Sequence, residues 1–324
     1  MRSLYSIIIA TKNTSLTIKY VLRSTLLLAQ DRNVELVIVD GSSIDNTPNI
    51  IRDFANRYSS YFKSVKILRD PGFSLSYARY IGFKNSQGDV LIFLDGDTPL
   101  TNTFKHYLEL ELEDCEVLSP KFIHVPLDDA TRIFDEFTKV TDYALQRYGF
   151  VYGKHINDPS FLPPARVYKR KVLERIKGYP VSSRFFCEDR ITTALAVRLG
   201  FSYKLSKLLK LLKIDDPGYR SYWKKHFRYA LGIHRDLTTL GKRILRGYVI
   251  ARRLNHVNVV FPILSIVYVL KSYSYLKSFK KAINIGLLKY FIDTAMLLGD
   301  ITGFHTTIRR DIIKKSKRFS TPNQ

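Results

Sequence analysis

The sequence predicts an α/β fold with a mostly parallel central sheet, followed by a basic, mainly α-helical region. Strand and helix patterns alternate four times over the first 95 residues. Polar residues follow the strands, and positive charge is concentrated beyond residue 200. Because parallel strands need crossover connections, the alternation of strands and helices is typical of a parallel sheet.

The four strands are short apolar runs at residues 4–10, 34–39, 65–68 and 90–94. Such runs, rich in β-branched residues, indicate strands buried on both faces. Apolar residues at helical spacing predict helices over residues 15–30, after Thr47, and around residues 75–86. Thr47 is the expected cap of the second helix, with Pro48 at its first helical position.

Polar side chains follow three of these strands. Thr11 and Asn13 come after the first strand, Asp40 ends the second, and Asp95 and Asp97 end the fourth. In open α/β sheets ligands bind beyond the carboxyl ends of the strands. If these strands are neighbours, the five side chains converge at one edge.

Asp95-Gly96-Asp97 places two carboxylates one residue apart. Carboxylate oxygens suit a hard divalent cation, Mn²⁺ or Mg²⁺, which commonly takes one or two carboxylates plus substrate phosphates. Asp-Gly is also a frequent turn pair. In isolation, the segment therefore fits either a metal site or a simple turn.

Glu188 and Asp189 precede a helical pattern that ends near Gly200. Negative charge is favoured at a helix N-terminus, so the pair fits a purely structural role. A carboxylate there could instead serve as a general base toward an attacking hydroxyl. Both interpretations stay open on the residues alone.

Taken in order, these segments resemble the motifs of the family-2 glycosyltransferases, inverting nucleotide-sugar enzymes of GT-A fold. That fold is Rossmann-like, with a mostly parallel sheet and helices on both faces. The resemblance covers about residues 4–202. Each motif alone is a weak signal, but the motifs together, in this order along the chain, are a specific one. The matching segments are residues 6–13 (family Pro-Thr-Tyr-Asn), 37–47 (family Val-Asp-Asp-Gly-Ser-Thr-Asp-Gly-Thr), 77–82 and 87–89 (family Ala-Arg-Asn-x-Gly and Ala-x-Gly-acid), 95–97 (the DxD motif) and 165–200 (the acceptor-side half with Glu-Asp).

The resemblance implies roles for individual residues. Asp189 would be the catalytic base, with Glu188 as its neighbour. Asp97, ahead of Asp95, would bind the metal, either Mn²⁺ or Mg²⁺, which stabilises charge on a diphosphate leaving group. The residues implied to bind the nucleotide sugar are Thr11 and Asn13 (beside the nucleotide), Asp40 (base or ribose), Arg79, Asp95 and Asp97.

The chain departs from the family motifs at four positions. Lys12 replaces a tyrosine, which removes an aromatic stacking partner, and Gly41 replaces a second acid. Ala10 stands for proline and Tyr80 for asparagine. No departure removes a proposed metal-binding or basic carboxylate, so activity is still expected.

The net charge of +23 divides unequally along the chain. Residues 1–200 hold 27 basic and 23 acidic residues, whereas residues 201–324 hold 25 basic and 6 acidic ones. A basic block favours an anionic partner, either nucleic acid or an acidic membrane surface. We expect a catalytic domain over residues 1–205 and a basic helical region over residues 206–324, with helix-like spacing already present at residues 204–213.

Two apolar stretches in the basic region bear on the choice of partner. Residues 254–270 are uncharged, and residues 282–304 are interrupted by Lys289, Asp293 and Asp300. Both fall short of the roughly 20 apolar residues of a membrane span. Helices lying in a bilayer interface fit best, while ordinary packing in a helical subdomain and a true span remain alternatives. An anionic membrane surface is therefore an expected partner.

The expected location is the cytoplasmic face of the cell membrane, with peripheral or monotopic attachment. The two cysteines, Cys115 and Cys187, are too few for a disulfide framework, which favours a reducing compartment. The first residues lack the apolar stretch and cleavage site of a signal peptide.

Residues 218–232 interleave basic and aromatic side chains. The segment resembles one that lies near the donor phosphates or the acceptor in membrane-associated family members. Trp223 and Arg220 are the candidate acceptor or interface contacts. An amphipathic interfacial helix with aromatic anchors explains the pattern equally well.

The leading hypothesis is a metal-dependent, inverting hexosyltransferase acting on a nucleotide-sugar donor. Its acceptor would be a hydroxyl or phosphate, with a polyprenyl-phosphate lipid or lipid-linked glycan expected. One alternative is a basic α/β nucleic-acid-binding protein. It leaves the carboxylates after the strands unexplained, so no nucleic acid is expected as a partner. The other alternative is a non-catalytic transferase-like scaffold.

Overall fold

The computed structural model describes residues 3–147, 163–180, 188–215, 217–236 and 258–319. The strands are β1 (Leu4–Thr11), β2 (Asn33–Asp40), β3 (Ser64–Arg69), β4 (Val90–Asp95), β5 (Val117–His124), β6 (Val167–Lys169) and β7 (Tyr203–Lys213). The helices are α1 (Ile18–Ala29), α2 (Thr47–Tyr58), α3 (Leu75–Lys84), α4 (Asn102–Leu112), α5 (Asp129–Arg147), α6 (Arg170–Arg175), α7 (Glu188–Arg198), α8 (Tyr219–Asp236), α9 (Ile263–Leu276) and α10 (Phe279–Phe319).

The strands form one seven-stranded sheet in the order β3-β2-β1-β4-β6-β5-β7. The short strand β6 runs antiparallel to both of its neighbours, and the other pairings are parallel. The predicted α/β class with a mostly parallel sheet is confirmed. Strand β1 lies between β2 and β4, so the polar residues that end these three strands share one edge.

Helices cover both faces of the sheet, which is why the central strands are apolar throughout. Successive residues of β1 point to opposite faces. Ile7 and Ile9 belong to the core layer under α1, whereas Ile8 belongs to the layer under α3. All three are fully buried. This packing on both faces fixes the position of β1, and with it the polar residues at its carboxyl end.

The expected cap of the second helix was wrong by one residue. Asn46 occupies the N-cap position, and Thr47 is the first helical residue. The Thr47 hydroxyl instead accepts a hydrogen bond from the backbone N–H of Thr14 at 2.9 Å. It therefore ties the loop after β1 to the start of α2.

The helix-like interpretation of residues 204–213 was also wrong, because these residues belong to strand β7. Residues 206–209 form a bulge opposite Pro120, which has no N–H to donate to a ladder. The Ser206 hydroxyl closes the bulge by accepting from the N–H groups of Leu208 and Leu209. The three extra residues interrupt the regular alternation of side chains between the two faces of the strand. As a result, the lysines of this segment are three residues apart, a spacing that is also typical of a helix. Strand β7 also runs across the expected domain boundary at residue 205.

Beyond β7 the described chain is helical. Helix α10 packs against α5, α8 and α9. The apolar stretch 254–270 begins outside the described residues and continues into α9, whereas residues 282–304 lie within α10. Within the described ranges, no helix combines the length and apolar character needed to cross a membrane. Cys115 is buried as a free thiol, and Cys187 lies outside the described residues.

Candidate active site

Three strand ends place polar side chains side by side. In the ladders, Thr11 is paired with Asp40, and Ala10 is paired with Asp95. The segment after Asp95 turns tightly over the loop that follows β1. A Cβ atom at Gly96 would lie 2.5 Å from the Thr11 hydroxyl oxygen, so this close passage requires glycine.

Asn13 and Asp40 both organise the loop that follows β2. The Asp40 carboxylate accepts hydrogen bonds from the Ser43 hydroxyl at 2.5 Å and from its N–H at 3.1 Å. The Asn13 N–H donates to the same hydroxyl at 2.8 Å, and its side-chain oxygen accepts from the Ile44 N–H at 2.9 Å. Asn13 has a φ of 52°, which asparagine tolerates better than most residues.

The departures at Lys12 and Gly41 are spatially coupled. A Cβ atom at Gly41 would lie 3.3 Å from the Lys12 Cβ, so the missing acid leaves room for the lysine stem. The Lys12 ammonium extends over Gly72, and a Cβ atom at Gly72 would lie 3.0 Å from the Lys12 Nζ. An exposed cation therefore stands where family members carry an aromatic ring.

Arg79 is the buried centre of the site. Its guanidinium donates to Asp95 Oδ1 at 2.6 Å and to Glu188 Oε1 at 2.5 Å. It also lies 5.6 Å from the centre of the Tyr179 ring and 3.8 Å from Asp189 Oδ2. One arginine of α3 thus contacts the acid that ends β4 and both acids that begin α7.

Arg166 approaches the same carboxylates from the residue before β6. Its Nη2 lies 3.1 Å from Asp95 Oδ2 and 3.6 Å from Asp189 Oδ2. Its carbonyl accepts from the Phe93 N–H at 2.8 Å, which fixes it beside β4. The sequence interpretation assigned no role to Arg166. Its position before a buried strand within the acceptor-side motif was the available signal.

Asp97 forms an ion pair that sequence reasoning also missed. Lys213, the last residue of β7, places its Nζ 2.5 Å from Asp97 Oδ1. Lys213 could have been identified only by recognising β7 as a strand that ends at the same edge. The helix-like spacing of lysines in this segment concealed that strand.

The carboxyl groups of Asp95, Asp97 and Glu188 differ in their titration. Although burial opposes its ionisation, the Arg166 and Arg79 guanidiniums hold the pKa of Asp95 well below its usual range. Burial raises the pKa of Asp97, and Lys213 offsets only part of that rise. Burial and the neighbouring Asp189 raise the pKa of Glu188 to about 7. The environment of each acid therefore separates their pKa values, lowering that of Asp95 and raising those of Asp97 and Glu188.

Asp189 lies in the first turn of α7 and is less enclosed than Glu188. Its side chain is 18% exposed, against 5% for Glu188. Asp189 Oδ1 accepts a hydrogen bond from the Arg190 N–H at 2.8 Å. Of the two acids, Asp189 is the one that an external group can reach.

Helix α8 carries the other two candidates, Trp223 and Arg220, at a spacing of three residues. Trp223 is half-buried and stacks on Phe227 with ring centres 5.2 Å apart, and Arg220 is exposed. The helix is joined to the sheet edge through a different residue. Lys225 pairs with Asp215 at 2.8 Å, and Asp215 also contacts His124 at 2.5 Å.

A divalent cation would find hard oxygen donors here. Throughout the part of the chain that the structure describes, no three His, Cys, Asp or Glu side chains are grouped to hold a metal ion. Asp95 is already bonded by two arginines, whereas the side chain of Asp97 is 30% exposed and faces a lysine ammonium. The donor set fits a cation that takes Asp97 from the protein and its other ligands from substrate phosphates.

Comparisons with known proteins agree with this architecture. A probable glycosyltransferase of Bacillus subtilis, YdaM, is 24% identical over 236 residues, covering 70% of this chain and 54% of YdaM. The chain therefore spans about half the length of that relative.

Two solved structures share the fold. The mannosyltransferase PcManGT from Pyrobaculum calidifontis, in complex with GDP-Man and Mn²⁺, has a TM-score of 0.55 at 16% identity, covering 92% of this chain and 88% of that one. Residues 1–349 of TarS from S. aureus, in complex with UDP-GlcNAc, have a TM-score of 0.52 at 15% identity, covering 95% and 92% of the chains. These likenesses establish the GT-A fold.

The family model for glycosyl transferase family 2 matches residues 6–177. That segment exceeds half of the 324 residues and contains Thr11, Asp40, Arg79, Asp95 and Asp97. The chain belongs to glycosyl transferase family 2.

Proposed function

We propose that this protein is an inverting hexosyltransferase that moves a sugar from a nucleotide-sugar donor to an acceptor hydroxyl or phosphate. The observation that carries the proposal is that Asp189 and Asp95 contact the same two arginines. Asp189 Oδ2 lies 3.8 Å from Arg79 and 3.6 Å from Arg166, and both guanidiniums bind Asp95. The acid of the acceptor-side motif thus faces the edge where the strands end.

The donor would bind at the edge formed by β2, β1 and β4, beside Thr11, Asn13 and Asp40. Buried N–H groups support this placement. Among the described residues, Arg79 Nε and Arg166 Nε and Nη1 have no hydrogen-bond partner. Two guanidiniums therefore lie beside Asp95 at this edge, and their positive charge favours an anionic donor.

A divalent cation, Mn²⁺ or Mg²⁺, would be held by Asp97, with Asp95 beside it. A bound cation supplies Lewis-acid stabilisation to the diphosphate leaving group. The paired guanidiniums at Asp95 support Asp97 as the direct ligand, since both oxygens of Asp95 already accept from arginine. The PcManGT structure contains Mn²⁺ together with GDP-Man, which supports a divalent cation as the partner of the donor.

Asp189 would accept the proton of the attacking acceptor group. Inversion requires the base on the face of the sugar opposite the leaving group, and Asp189 comes from a different element than the strand-end acids. General-base catalysis contributes about 10²- to 10⁴-fold. Glu188, whose pKa is raised to about 7 by burial and by Asp189, would help to hold Arg79 beneath the base.

The site of action would be an anionic membrane surface, at its cytoplasmic face. Helices α9 and α10 each expose an apolar stripe with helical spacing, as expected for helices lying in a bilayer interface. Lys277 and Lys280, both exposed, lie at the junction between α9 and α10 and would contact anionic headgroups. The stripe residues, each at least 38% exposed, are Ile263, Ile266, Leu270 and Tyr273 in α9, and Phe279, Ile283, Leu287, Tyr290, Leu298 and Ile301 in α10.

Two of the charged residues that interrupt the second apolar stretch, Lys289 and Asp293, lie outside this stripe. Lys289 forms an ion pair with Asp293, and both side chains are buried. Asn258 also donates to Asp293, at 2.7 Å. The apolar face of α10 therefore stays free of these two charges.

The acceptor would be a membrane lipid such as a polyprenyl phosphate, or a lipid-linked glycan. The exposed apolar stripe and the net positive charge beyond residue 200 support an anionic lipid. Arg220 and Trp223, on one face of α8, are the proposed acceptor or interface contacts. In this proposal the catalytic domain extends through β7 to Lys213, and the basic helical region follows it.

The test is a screen of UDP-, GDP- and dTDP-sugars with vesicles containing polyprenyl phosphate, with Mn²⁺ and with EDTA. We expect one donor to be consumed with transfer to the lipid, and EDTA to suppress the transfer. Absence of transfer with every donor would contradict the proposal. A parallel assay of single-stranded nucleic acid binding and vesicle flotation separates the alternatives, because a nucleic-acid-binding protein would shift the nucleic acid and remain unbound to vesicles.

A further inference from the structure

Lys213 occupies the position at Asp97 that a bound cation would need. Its Nζ lies 2.5 Å from Asp97 Oδ1, and the two side chains are 17% and 30% exposed. The pair is therefore shielded from water more than an ordinary surface ion pair. A lysine ammonium is a compact point charge on a flexible stem, so it can leave a partner without disturbing the backbone.

The backbone on both sides of Lys213 is fixed to the strand-end turn. The Ile214 N–H donates to the Asp97 carbonyl at 3.0 Å, and the Leu212 N–H donates to the Pro99 carbonyl at 3.0 Å. The Lys213 carbonyl accepts from the Val125 N–H at 2.9 Å. These three bonds hold the Lys213 Cα next to Asp97 and leave its side chain as the movable part.

The two acids of the strand-end turn are neutralised in different ways. Asp95 accepts from two buried guanidiniums, Arg79 at 2.6 Å and Arg166 at 3.1 Å. Asp97 is paired with a partly exposed ammonium group. Two planar, hydrogen-bonded guanidiniums form a fixed arrangement, whereas a single ammonium can be exchanged for another cation.

Resting on the function proposed above, we propose that Lys213 is an exchangeable counter-ion of Asp97. In the empty site Lys213 neutralises Asp97. When the donor arrives with its divalent cation, Lys213 leaves Asp97 and its ammonium binds the donor diphosphate. Lys213 is thus a positioning and binding residue that competes with the cation before the donor is bound and neutralises the diphosphate afterwards.

Two opposite effects follow from replacing Lys213 with methionine, which keeps the length of the stem and removes the charge. Without its competitor, Asp97 should bind Mn²⁺ alone about fivefold more tightly, which corresponds to an ion pair of about 1 kcal/mol. Without the ammonium, UDP or GDP should bind about fivefold more weakly at saturating Mn²⁺, the condition in which Lys213 has left Asp97. Lys213→Arg keeps the charge and should show neither effect.

Mn²⁺ binding is measured by electron paramagnetic resonance of the free ion, and binding of UDP and GDP at saturating Mn²⁺ by titration calorimetry. Lys207→Met is the matched control, because Lys207 is an exposed lysine of the same strand. It removes the same charge away from Asp97 and should leave both affinities unchanged. Thermal unfolding of each variant verifies that the fold is intact.

Tighter Mn²⁺ binding by Lys213→Met but not by Lys207→Met would support the exchange. Equal Mn²⁺ affinities for the wild type and Lys213→Met, or no Mn²⁺ binding by either protein, would overturn it. The function is judged separately, by sugar transfer of the wild type at saturating Mn²⁺. Transfer with equal Mn²⁺ affinities would reject the role of Lys213 alone, whereas tighter Mn²⁺ binding without any transfer would reject the function alone.

Discussion

Arg79 and Glu188, which lie 109 residues apart in sequence, form a buried ion pair at 2.5 Å. The side chain of Arg79 is 1% exposed and that of Glu188 is 5% exposed. Because Arg79 also binds Asp95, this pair joins the helix that begins with the acceptor-side acids to the strand that ends with the donor-side acids. Together with Arg166, Arg79 therefore joins the two halves of the site, and it is the one of the two that also binds Glu188.

Replacing Arg79 with methionine should destabilise the protein strongly. The change leaves Glu188 buried without its cation and removes one of the two guanidiniums at Asp95, and breaking a buried pair from one side costs about 3–5 kcal/mol. Urea unfolding followed by circular dichroism measures the loss. Arg57→Met, at an exposed position near the end of α2, is the control and should cost little. Equal unfolding midpoints for the two variants would show that Arg79 does not support the fold.

The pH dependence of stability should report on Glu188. Its pKa is about 7 in the folded protein because of burial and Asp189, against 4.5 ordinarily. Between these values the folded state holds a proton that the unfolded state has released, so stability falls as pH rises from 4.5 to about 7. Below 4.5 both states are protonated, and above about 7 both are ionised, so the effect is confined to this window.

Glu188→Gln removes this titration and keeps a hydrogen-bonding side chain beside Arg79. The measurement is the free energy of unfolding of both proteins from pH 4.5 to pH 7.5, buffered at constant ionic strength. We expect the variant to gain stability relative to the wild type as pH rises. Parallel curves would mean that Glu188 titrates in the folded protein as it does in the unfolded chain.

Much of the donor side of the site could be predicted from the sequence. Apolar runs identified the first four strands, and their alternation with helices implied a parallel sheet. The shared edge of Thr11, Asp40 and Asp95 then followed from the rule that ligands bind beyond the carboxyl ends of strands. These features are local patterns or consequences of topology, which a single sequence contains.

The partners of the acids could not be predicted in the same way. Arg166 and Lys213 meet Asp95 and Asp97 across 71 and 116 residues, and nothing local in the sequence connects them. The bulge in β7 also gave its lysines a helical spacing and concealed the strand that positions Lys213. Long-range ion pairs and irregular strands are decided by tertiary packing, which local patterns do not encode.

Asp189→Asn should abolish measurable transfer while keeping donor binding. The amide cannot accept a proton, so we expect transfer to fall by about 10²- to 10⁴-fold. Steady-state transfer and titration with the donor nucleotide separate the two effects. Full transfer by Asp189→Asn would reject its role as the base.

Asp97→Ala should also abolish transfer, through loss of the cation and the donor that it helps to hold. Nucleotide affinity in the presence of Mn²⁺ should therefore fall with Asp97→Ala and persist with Asp189→Asn. Unfolding curves close to that of the wild type would show that both variants fold. Unchanged nucleotide affinity of Asp97→Ala would remove Asp97 from the donor site.

A charged residue in the apolar stripe should weaken attachment to anionic membranes. Leu270 and Leu287 are 65% and 63% exposed, so a change to aspartate at either position adds negative charge without breaking core packing. The double variant Leu270→Asp and Leu287→Asp should float poorly with vesicles containing acidic lipids, since it removes apolar contact and repels the headgroups. Leu110→Asp is the control, because Leu110 is an exposed leucine of α4, distant in sequence from the stripe, with 54% exposure.

The salt and lipid dependence of flotation completes this test. Wild-type binding should fall when neutral lipids replace acidic ones and when salt is raised, because part of the attraction comes from lysines such as Lys277 and Lys280. Size-exclusion chromatography with light scattering identifies the competing explanation. If the stripe instead joins two copies of the chain, the wild type would be a dimer, the double variant a monomer, and neither would bind vesicles.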